Sequence, residues 1–172
     1  LDATKERIEE YVPVKFRHQG QTLKAKIRLK GDRKAHFGDI DKMSFRVKMK
    51  GNDAIWGMRV VSIHKPRARN SVHEWIFHTM MAEQGLVSLR YKFFNLTING
   101  KNLGTYAAEE HLAKELIENH DRRDGPILHF DERGLSTFRT QRVAVYNDDD
   151  WLDPEALPIV ERATFLLTGF QR

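Results

Sequence analysis

The stretch at residues 91–110, YKFFNLTINGKNLGTYAAEE, decides the fold of this chain. Its first arm alternates between apolar and polar positions, with Phe94, Leu96 and Ile98 on one face. Asn99-Gly100 follows, a pair that tolerates the positive φ of a tight primed turn. A second arm runs over residues 101–108, so the pattern predicts a β-hairpin. Because a polar helical pattern begins directly after it, at residues 109–112, we expect the hairpin to end at a junction between two layers or lobes.

The same period of two appears upstream, in LKAKIRLK at residues 23–30 and SFRVKMK at residues 44–50. One side of each segment is apolar (Leu23, Ala25, Ile27, Leu29; Phe45, Val47, Met49). The other side is basic (Lys24, Lys26, Arg28, Lys30; Arg46, Lys48, Lys50). Together with strand patterns at residues 12–18 and 59–63, these segments predict an antiparallel meander with one apolar and one basic face.

A helix is predicted between the meander and the hairpin. Asn70-Ser71 opens it, Ser71 and Glu74 have the spacing of a capping box, and Gly85 is suited to end it. An apolar stripe on this helix is expected to lie on the sheet. Its members are Val72, Trp75, Ile76, Thr79, Met80 and Glu83, flanked by Phe77 and Met81.

Downstream, the patterns predict a helix near residues 110–119, a strand at 127–130, and a helix that starts at Asp153-Pro154. Residues 131–150 are mixed, although 142–146 could pair as a strand. The order predicts the α+β class: an antiparallel sheet with one packed helix, then the first helices of a second, incomplete lobe. We expect the sheet domain at residues 1–110 and the second lobe at 111–172.

Composition limits the functions that the chain can perform. The 172 residues include 29 Lys+Arg against 24 Asp+Glu, for a formal charge of +5. This excess suits an anionic ligand such as a nucleotide phosphate but is small for a dedicated polyanion binder. Cysteine is absent, which excludes disulfides, thiolate metal sites and a cysteine nucleophile. No apolar run approaches the ~20 residues of a membrane span. The first residue is not Met, so we expect a piece of a longer protein.

Five segments in this order resemble the CotH kinase family, bacterial proteins related to spore-coat protein H with an atypical protein-kinase-like fold. They lie at residues 27–32, 42–48, 81–85, 94–106 and 109–110. The resemblance implies a kinase N-lobe-like sheet, a hinge near residues 108–110, and phosphoryl transfer from ATP to protein Ser/Thr with Mg²⁺. The chain differs from the family in having Lys42-Met43 for a Lys-Lys pair, and Arg69-Asn70 before the helix rather than inside it.

The resemblance also implies that the catalytic aspartates lie further downstream than this chain reaches, so the fragment alone is expected to be inactive. It leaves the compartment open, with the bacterial envelope or an extracytoplasmic location among the options. The expected partners are a nucleotide and a protein substrate.

Candidate nucleotide-binding residues combine the basic face with the family segments: Lys30, Lys42, Arg46, Lys48 and Glu110. Phosphoryl transfer depends on positioned cations that neutralise phosphate charge, and Arg46 is central in its strand. We expect these cations to converge beside residues 108–110, where Glu110 could bond a ribose hydroxyl. The alternative is a solvated basic face, with Glu110 only favouring a helix dipole.

Other charged groups are explained more simply. Glu74 and Glu83 could orient a lysine, but a capping box and a solvated helix edge account for them. His73 and His78 are five residues apart, which points their rings in different directions and gives no metal prediction. Gly31-Asp32 and Asp148-Asp149-Asp150 are interpreted as a strand connection and a solvated turn.

Two other functions remain possible: a non-catalytic kinase-like binding module and a basic-sheet nucleic-acid-binding domain. Single-strand binders interleave aromatic with basic residues. Because Phe16, Phe45 and Phe94 fall on the apolar faces, the pattern disfavours nucleic acid.

Overall fold

The computed structural model describes residues 10–30, 43–131, 142–146, 151 and 154–169. The chain divides into two compact units, Leu1–His111 and Leu112–Arg172. Several predicted features lie outside the described residues: the strand connection at Gly31-Asp32, the candidate residue Lys42, and Asp148-Asp149-Asp150.

The first unit is built on a six-stranded antiparallel sheet with the strand order β1-β2-β3-β4-β6-β5. Its strands are β1 (Val12–His18), β2 (Gln21–Lys30), β3 (Ser44–Met49), β4 (Val60–His64), β5 (Tyr91–Ile98) and β6 (Lys101–Glu110). With helices added to this sheet, the predicted α+β class is confirmed.

Alternation places the hydrophobic core on one face of the sheet. In the β2–β3 register, Ile27 lies opposite Val47 and Leu29 lies opposite Phe45, as the period of two predicts. The buried core cluster consists of Ala25, Phe45, Val47, Met49, Ile55, Met58, Val61, Ile63, Leu96, Leu103 and Tyr106. The basic residues of β2 and β3 are therefore collected on the opposite face.

The predicted hairpin is present, and its second strand is longer than expected. Asn99 and Gly100 adopt φ of 50° and 83°, as a primed turn requires. The register of the β5–β6 ladder shifts between Leu96 and Thr97. Strand β6 continues through Glu110, so the prediction of a helix starting at residue 109 or 110 is wrong. Pairing with β4 extends the strand, because Val61 lies opposite Glu110.

The helix α1 (His73–Glu83) begins later than predicted. A single 3₁₀ turn, Pro66–Arg69, precedes it. Asn70 and Ser71 adopt left-handed φ values of 52° and 64°, and the N-cap residue Val72 makes no side-chain capping bond, so the expected capping box does not form. At the other end Gly85 has φ of 68°, and Leu86 N–H donates to Met81 O at 3.0 Å, which closes a Schellman motif.

The orientation of α1 differs from the sequence prediction. None of its residues is buried, and the side chains of Ile76, Phe77 and Met80 are exposed. The partly buried positions are Glu74, His78 and Met81. The face towards the sheet is thus mixed: Glu74 and His78 lie there beside Met81, and Trp75 is the member of the predicted stripe whose ring lies near Phe93 of β5.

The second unit contains α2 (Lys114–Asn119), β7 (Leu128–Asp131), β8 (Arg142–Val145) and α3 (Leu157–Gly169). β7 and β8 form an antiparallel pair, and α3 contacts both. α3 begins at Leu157, later than the Asp153-Pro154 start predicted for it. Among the helices at described positions, none is long and apolar enough to cross a membrane.

Candidate functional site

Cations from neighbouring strands stand opposite one another on the polar face of the sheet. In the β2–β3 ladder, Lys26 pairs with Lys48 and Arg28 pairs with Arg46, while Lys30 lies opposite Ser44. Like charges directly across a ladder repel each other. The structure therefore brings the predicted residues Lys30, Arg46 and Lys48 onto one surface, which we call the basic face.

An aromatic ring covers part of the basic face. The ring of Tyr11, just before β1, lies 5.1 Å from Lys26 Nζ, 5.4 Å from Lys48 Nζ and 5.5 Å from the guanidinium carbon of Arg28. These distances are in the range of cation–π contacts, which offset part of the repulsion between the cations. The sequence analysis did not single out Tyr11.

Arg46 is the most enclosed cation of this surface. Its exposed fraction is 8%, and its Nε is buried without a hydrogen-bond partner among the described residues. Its direct ladder neighbours are Arg28 and Ser62, neither of which carries negative charge. A buried charge is costly unless it is paired and hydrogen-bonded. Arg46 thus has one N–H group, Nε–H, that donates no hydrogen bond within the described residues.

Lys30 connects the basic face to an acidic group. Its Nζ donates a hydrogen bond to Ser62 Oγ at 2.9 Å and lies 3.8 Å from Glu109 Oε2. Burial lowers the pKa of Lys30, and the neighbouring Arg46 adds to this effect, while Glu109 opposes it. The ammonium is therefore held by one hydroxyl and one carboxylate.

Next to Lys30, three elements bring together the side chains of His64 (β4), Glu74 (α1) and Glu109 (β6). One ligand atom from each lies within 4.8 Å of the other two. His64 Nδ1 is 3.8 Å from Glu109 Oε2, and Arg69 Nη1 is 3.2 Å from Glu74 Oε1. Burial raises the pKa of Glu74, and Arg69 opposes the rise.

Two rings, those of Tyr91 and His78, lie in a row next to His64. Its Nε2 lies 3.0 Å from the Tyr91 hydroxyl, and the ring of His78 stacks on Tyr91 at 6.3 Å between centroids. Burial lowers the pKa of His64 to about 4, and Lys30 and Arg69 contribute. Burial, with Glu74 and Glu109, raises the pKa of Tyr91 to about 12. Near neutral pH the imidazole and the phenol are therefore both uncharged.

The exit of β6 presents Glu109, rather than Glu110, to this surface. Ala108 and Glu110 point to the opposite face, where they are 0% and 3% exposed. The Glu110 carboxylate accepts hydrogen bonds from Arg90 N–H and Nε–H, both at 3.0 Å, and is also paired with Arg90 Nη2. The predicted ligand contact of Glu110 stays a prediction, but its carboxylate is engaged by Arg90.

The pKa of His111 is affected by the cations of the basic face. Its backbone N–H donates to the carbonyl oxygen of Val60, the first residue of β4, at 3.1 Å. Burial and four nearby cations together lower the pKa of His111 to about 3; the cations are Arg46, Lys30, Lys48 and Arg28. Four cations acting on one imidazole indicate a strongly positive local potential, as suits an anion.

A pocket of about 370 Å³ opens beside Glu74. Its lining residues are Ala68, Arg69, Asn70, His73, Glu74 and Phe77. The group of His64, Glu74 and Glu109 therefore lies next to a surface depression.

No protein-family model matches the chain, and a search of curated proteins found no match.

Proposed function

We propose that this chain carries the nucleotide-binding part of a CotH-like atypical protein kinase, which transfers a phosphoryl group from ATP to protein Ser/Thr. The observation that carries the proposal is Arg46, a buried residue in a row of cations whose Nε has no hydrogen-bond partner in the part of the chain that the structure describes. A phosphate group supplies the acceptor oxygens and the negative charge that this arrangement lacks.

The donor set fits a polyphosphate. Arg46 would bond one phosphate through its planar guanidinium, and Lys30 and Lys48 would act as point charges on either side. Lys30 is already oriented by Ser62 and Glu109, so little side-chain freedom remains to be lost on binding. The bound Mg·ATP would supply the phosphoryl group and the metal charge. We assign binding, and no catalytic step, to these residues.

The element order also supports the proposal. A helix, α1, connects the meander to a hairpin, and the hairpin's exit at residues 109–111 carries both Glu109 and His111 beside the cations. This is the order that the CotH resemblance implies for an N-lobe-like sheet. Glu110 contributes here by holding the exit segment to Arg90.

The test is a thermal-shift titration of the chain with Mg·ATP. We expect a concentration-dependent rise in Tm that is lost in Arg46→Ala. The control is Lys50→Ala, which removes the same charge from an exposed position just after β3 and is expected to keep the rise. A wild-type Tm that Mg·ATP leaves unchanged would contradict the proposal.

Single-stranded nucleic acid is a second candidate, and Tyr11 is the observation that favours it. A ring lying over Lys26, Arg28 and Lys48 combines aromatic and basic groups as stacking platforms do. An oligonucleotide titration at two salt concentrations separates the candidates. Steeply salt-dependent binding that is lost in Tyr11→Ala, with no response to Mg·ATP, would favour nucleic acid.

A further inference from the structure

We propose that His64, Glu74 and Glu109 form a binding site for a divalent transition-metal ion of the Mn²⁺–Zn²⁺ class. The three residues come from β4, α1 and β6, and one ligand atom of each lies within 4.8 Å of the others. A single ion placed between them can reach all three after small side-chain movements, since metal–ligand distances are about 2.0–2.2 Å.

Two buried oxygen atoms are the first independent sign of a ligand. Glu74 Oε2 and Glu109 Oε2 are both buried and have no hydrogen-bond donor in the part of the chain that the structure describes. Arg69 is bonded to the other oxygen of Glu74, and Lys30 is 3.8 Å from Glu109 Oε2, beyond hydrogen-bond distance. Buried carboxylate oxygens that accept no hydrogen bond are costly, and a metal ion would satisfy both.

The orientation of His64 is the second sign. Its side chain is only 4% exposed, and Nε2 is engaged by the Tyr91 hydroxyl. Nδ1 faces Glu109 Oε2 at 3.8 Å, too far for a hydrogen bond. Histidines that bind metals typically have their other ring nitrogen held by a hydrogen bond, as Nε2 is here. In the tautomer whose Nε2–H donates to the Tyr91 hydroxyl oxygen, Nδ1 carries the lone pair and is available as a ligand.

The mixed ligand set selects the class of ion. One imidazole nitrogen and two carboxylate oxygens suit Mn²⁺ or Zn²⁺, whereas Mg²⁺ and Ca²⁺ prefer oxygen ligands alone. Two carboxylates neutralise the charge of a divalent ion. In the wild-type chain, the ammonium group of Lys30 and the metal ion would compete for the Glu109 carboxylate.

The ion would tie α1 to the sheet. No residue of α1 is buried, and Glu74 is the contact through which its first turn reaches β4 and β6. Metal binding would therefore fix the position of this helix. The inference does not depend on nucleotide binding, because all three ligands lie outside the residues proposed to hold phosphate.

The test uses untagged chain freed of metal with a chelator and titrated with Mn²⁺ alone, free Mn²⁺ being measured by electron paramagnetic resonance. We expect one ion per chain, and affinity more than about tenfold weaker in Glu74→Gln and in Glu109→Gln. The matched control is Glu83→Gln, an exposed carboxylate on the same helix. Equal affinity in all four proteins, or no stoichiometric binding to the wild type, would overturn the site.

Two further measurements keep the result decisive if a Gln variant fails to fold. Electron spin-echo modulation of the wild-type Mn²⁺ complex should show coupling to an imidazole nitrogen, and its absence would remove His64 from the site. Lys30→Met should bind Mn²⁺ at least as tightly as wild type, because the competing ammonium is gone, while its response to Mg·ATP weakens. Loss of metal binding in Lys30→Met would contradict the ligand set and leave the nucleotide proposal intact.

Discussion

Arg28 and Arg46 are direct partners across the β2–β3 ladder, so both side chains leave the sheet on its polar face. Like charges directly opposite each other destabilise a sheet. Arg46 adds the cost of burial, since it is 8% exposed and one of its donors has no partner among the described positions. Groups that destabilise a fold are common where a ligand compensates for them.

The first prediction concerns Arg46→Met, which keeps most of the side-chain volume and removes the charge. We expect the free energy of unfolding of the ligand-free protein to rise by about 1 kcal/mol, because replacing a poorly compensated buried charge with an apolar group is often stabilising. The same variant should lose its stabilisation by Mg·ATP. Urea denaturation with and without the nucleotide measures both effects.

The matched control for that experiment is Val47→Met, the next residue of β3 but on the apolar face. Val47 is 0% exposed, so the larger side chain should overpack the core and lower stability by roughly 1–3 kcal/mol. Its nucleotide response should persist in the folded fraction. A destabilised Arg46→Met would show that Arg46 is compensated within the fold, against the idea of an anion site.

The second prediction concerns Glu110. Its carboxylate is 3% exposed and receives the backbone N–H and the guanidinium of Arg90. Glu110→Ala removes the buried carboxylate that this guanidinium bonds, so we expect a loss of about 3 kcal/mol in the free energy of unfolding. Urea denaturation measures the loss, with Glu83→Ala as the exposed control, expected within about 0.5 kcal/mol of wild type.

The third prediction tests the same pair from the other side. A Cβ added at Gly57, which has φ of +76°, would lie 2.6 Å from Arg90 Nη1. Gly57→Ala therefore strains the backbone and displaces the guanidinium, and we expect it to cost roughly 1–3 kcal/mol. In a double-mutant cycle with Glu110→Ala the two losses should be less than additive, because both disturb Arg90. Full additivity would contradict this coupling.

Much of the first unit could be predicted because period-two alternation is a local signal. The hairpin at Asn99-Gly100 and the apolar and basic sides of β2 and β3 follow directly from it. The faces on which Glu109 and Glu110 lie also follow from alternation. Counting alternation from Tyr106 puts Ala108 and Glu110 on the core face and Glu109 with the cations.

No local sequence pattern predicts the cluster of His64, Glu74 and Glu109. Its members are separated by 10 and 35 positions in the sequence, and they meet only through the β4–β6 pairing and the placement of α1. Helix periodicity also favoured the wrong side of α1, because its apolar residues are numerous and the residues facing the sheet are Glu74, His78 and Met81. Tertiary contacts, rather than hydrophobicity, set this orientation.

The fourth prediction follows from that orientation. Met80 is 61% exposed, although the sequence places it in the apolar stripe. We expect Met80→Gln to change the free energy of unfolding by less than about 0.5 kcal/mol. As a comparison, Leu96→Ala removes a side chain that is 9% exposed in the core and should cost roughly 2–5 kcal/mol. A large loss in Met80→Gln would mean that this face of α1 is covered in solution.

The fifth prediction is a pH dependence that originates at His111. Its pKa is lowered from 6.5 to about 3, by burial and by Arg46, Lys30, Lys48 and Arg28. Between these values the unfolded chain binds a proton at this residue and the folded chain does not, so the free energy of unfolding falls as the pH falls from 6.5 towards 3. In His111→Gln the free energy of unfolding should depend less steeply on pH, by up to about 1.4 kcal/mol per pH unit.

Urea titrations at several pH values, in the presence of a chelator, measure the two slopes. His64 also titrates in this window, but it is present in both proteins and its contribution cancels in the comparison. Saturation with an anion that neutralises the cations should raise the pKa of His111, observed as a shift of its imidazole NMR titration. Equal dependences of the free energy of unfolding on pH in the two proteins would show that His111 does not experience the field of the basic face. They would contradict the inference of a strongly positive potential there.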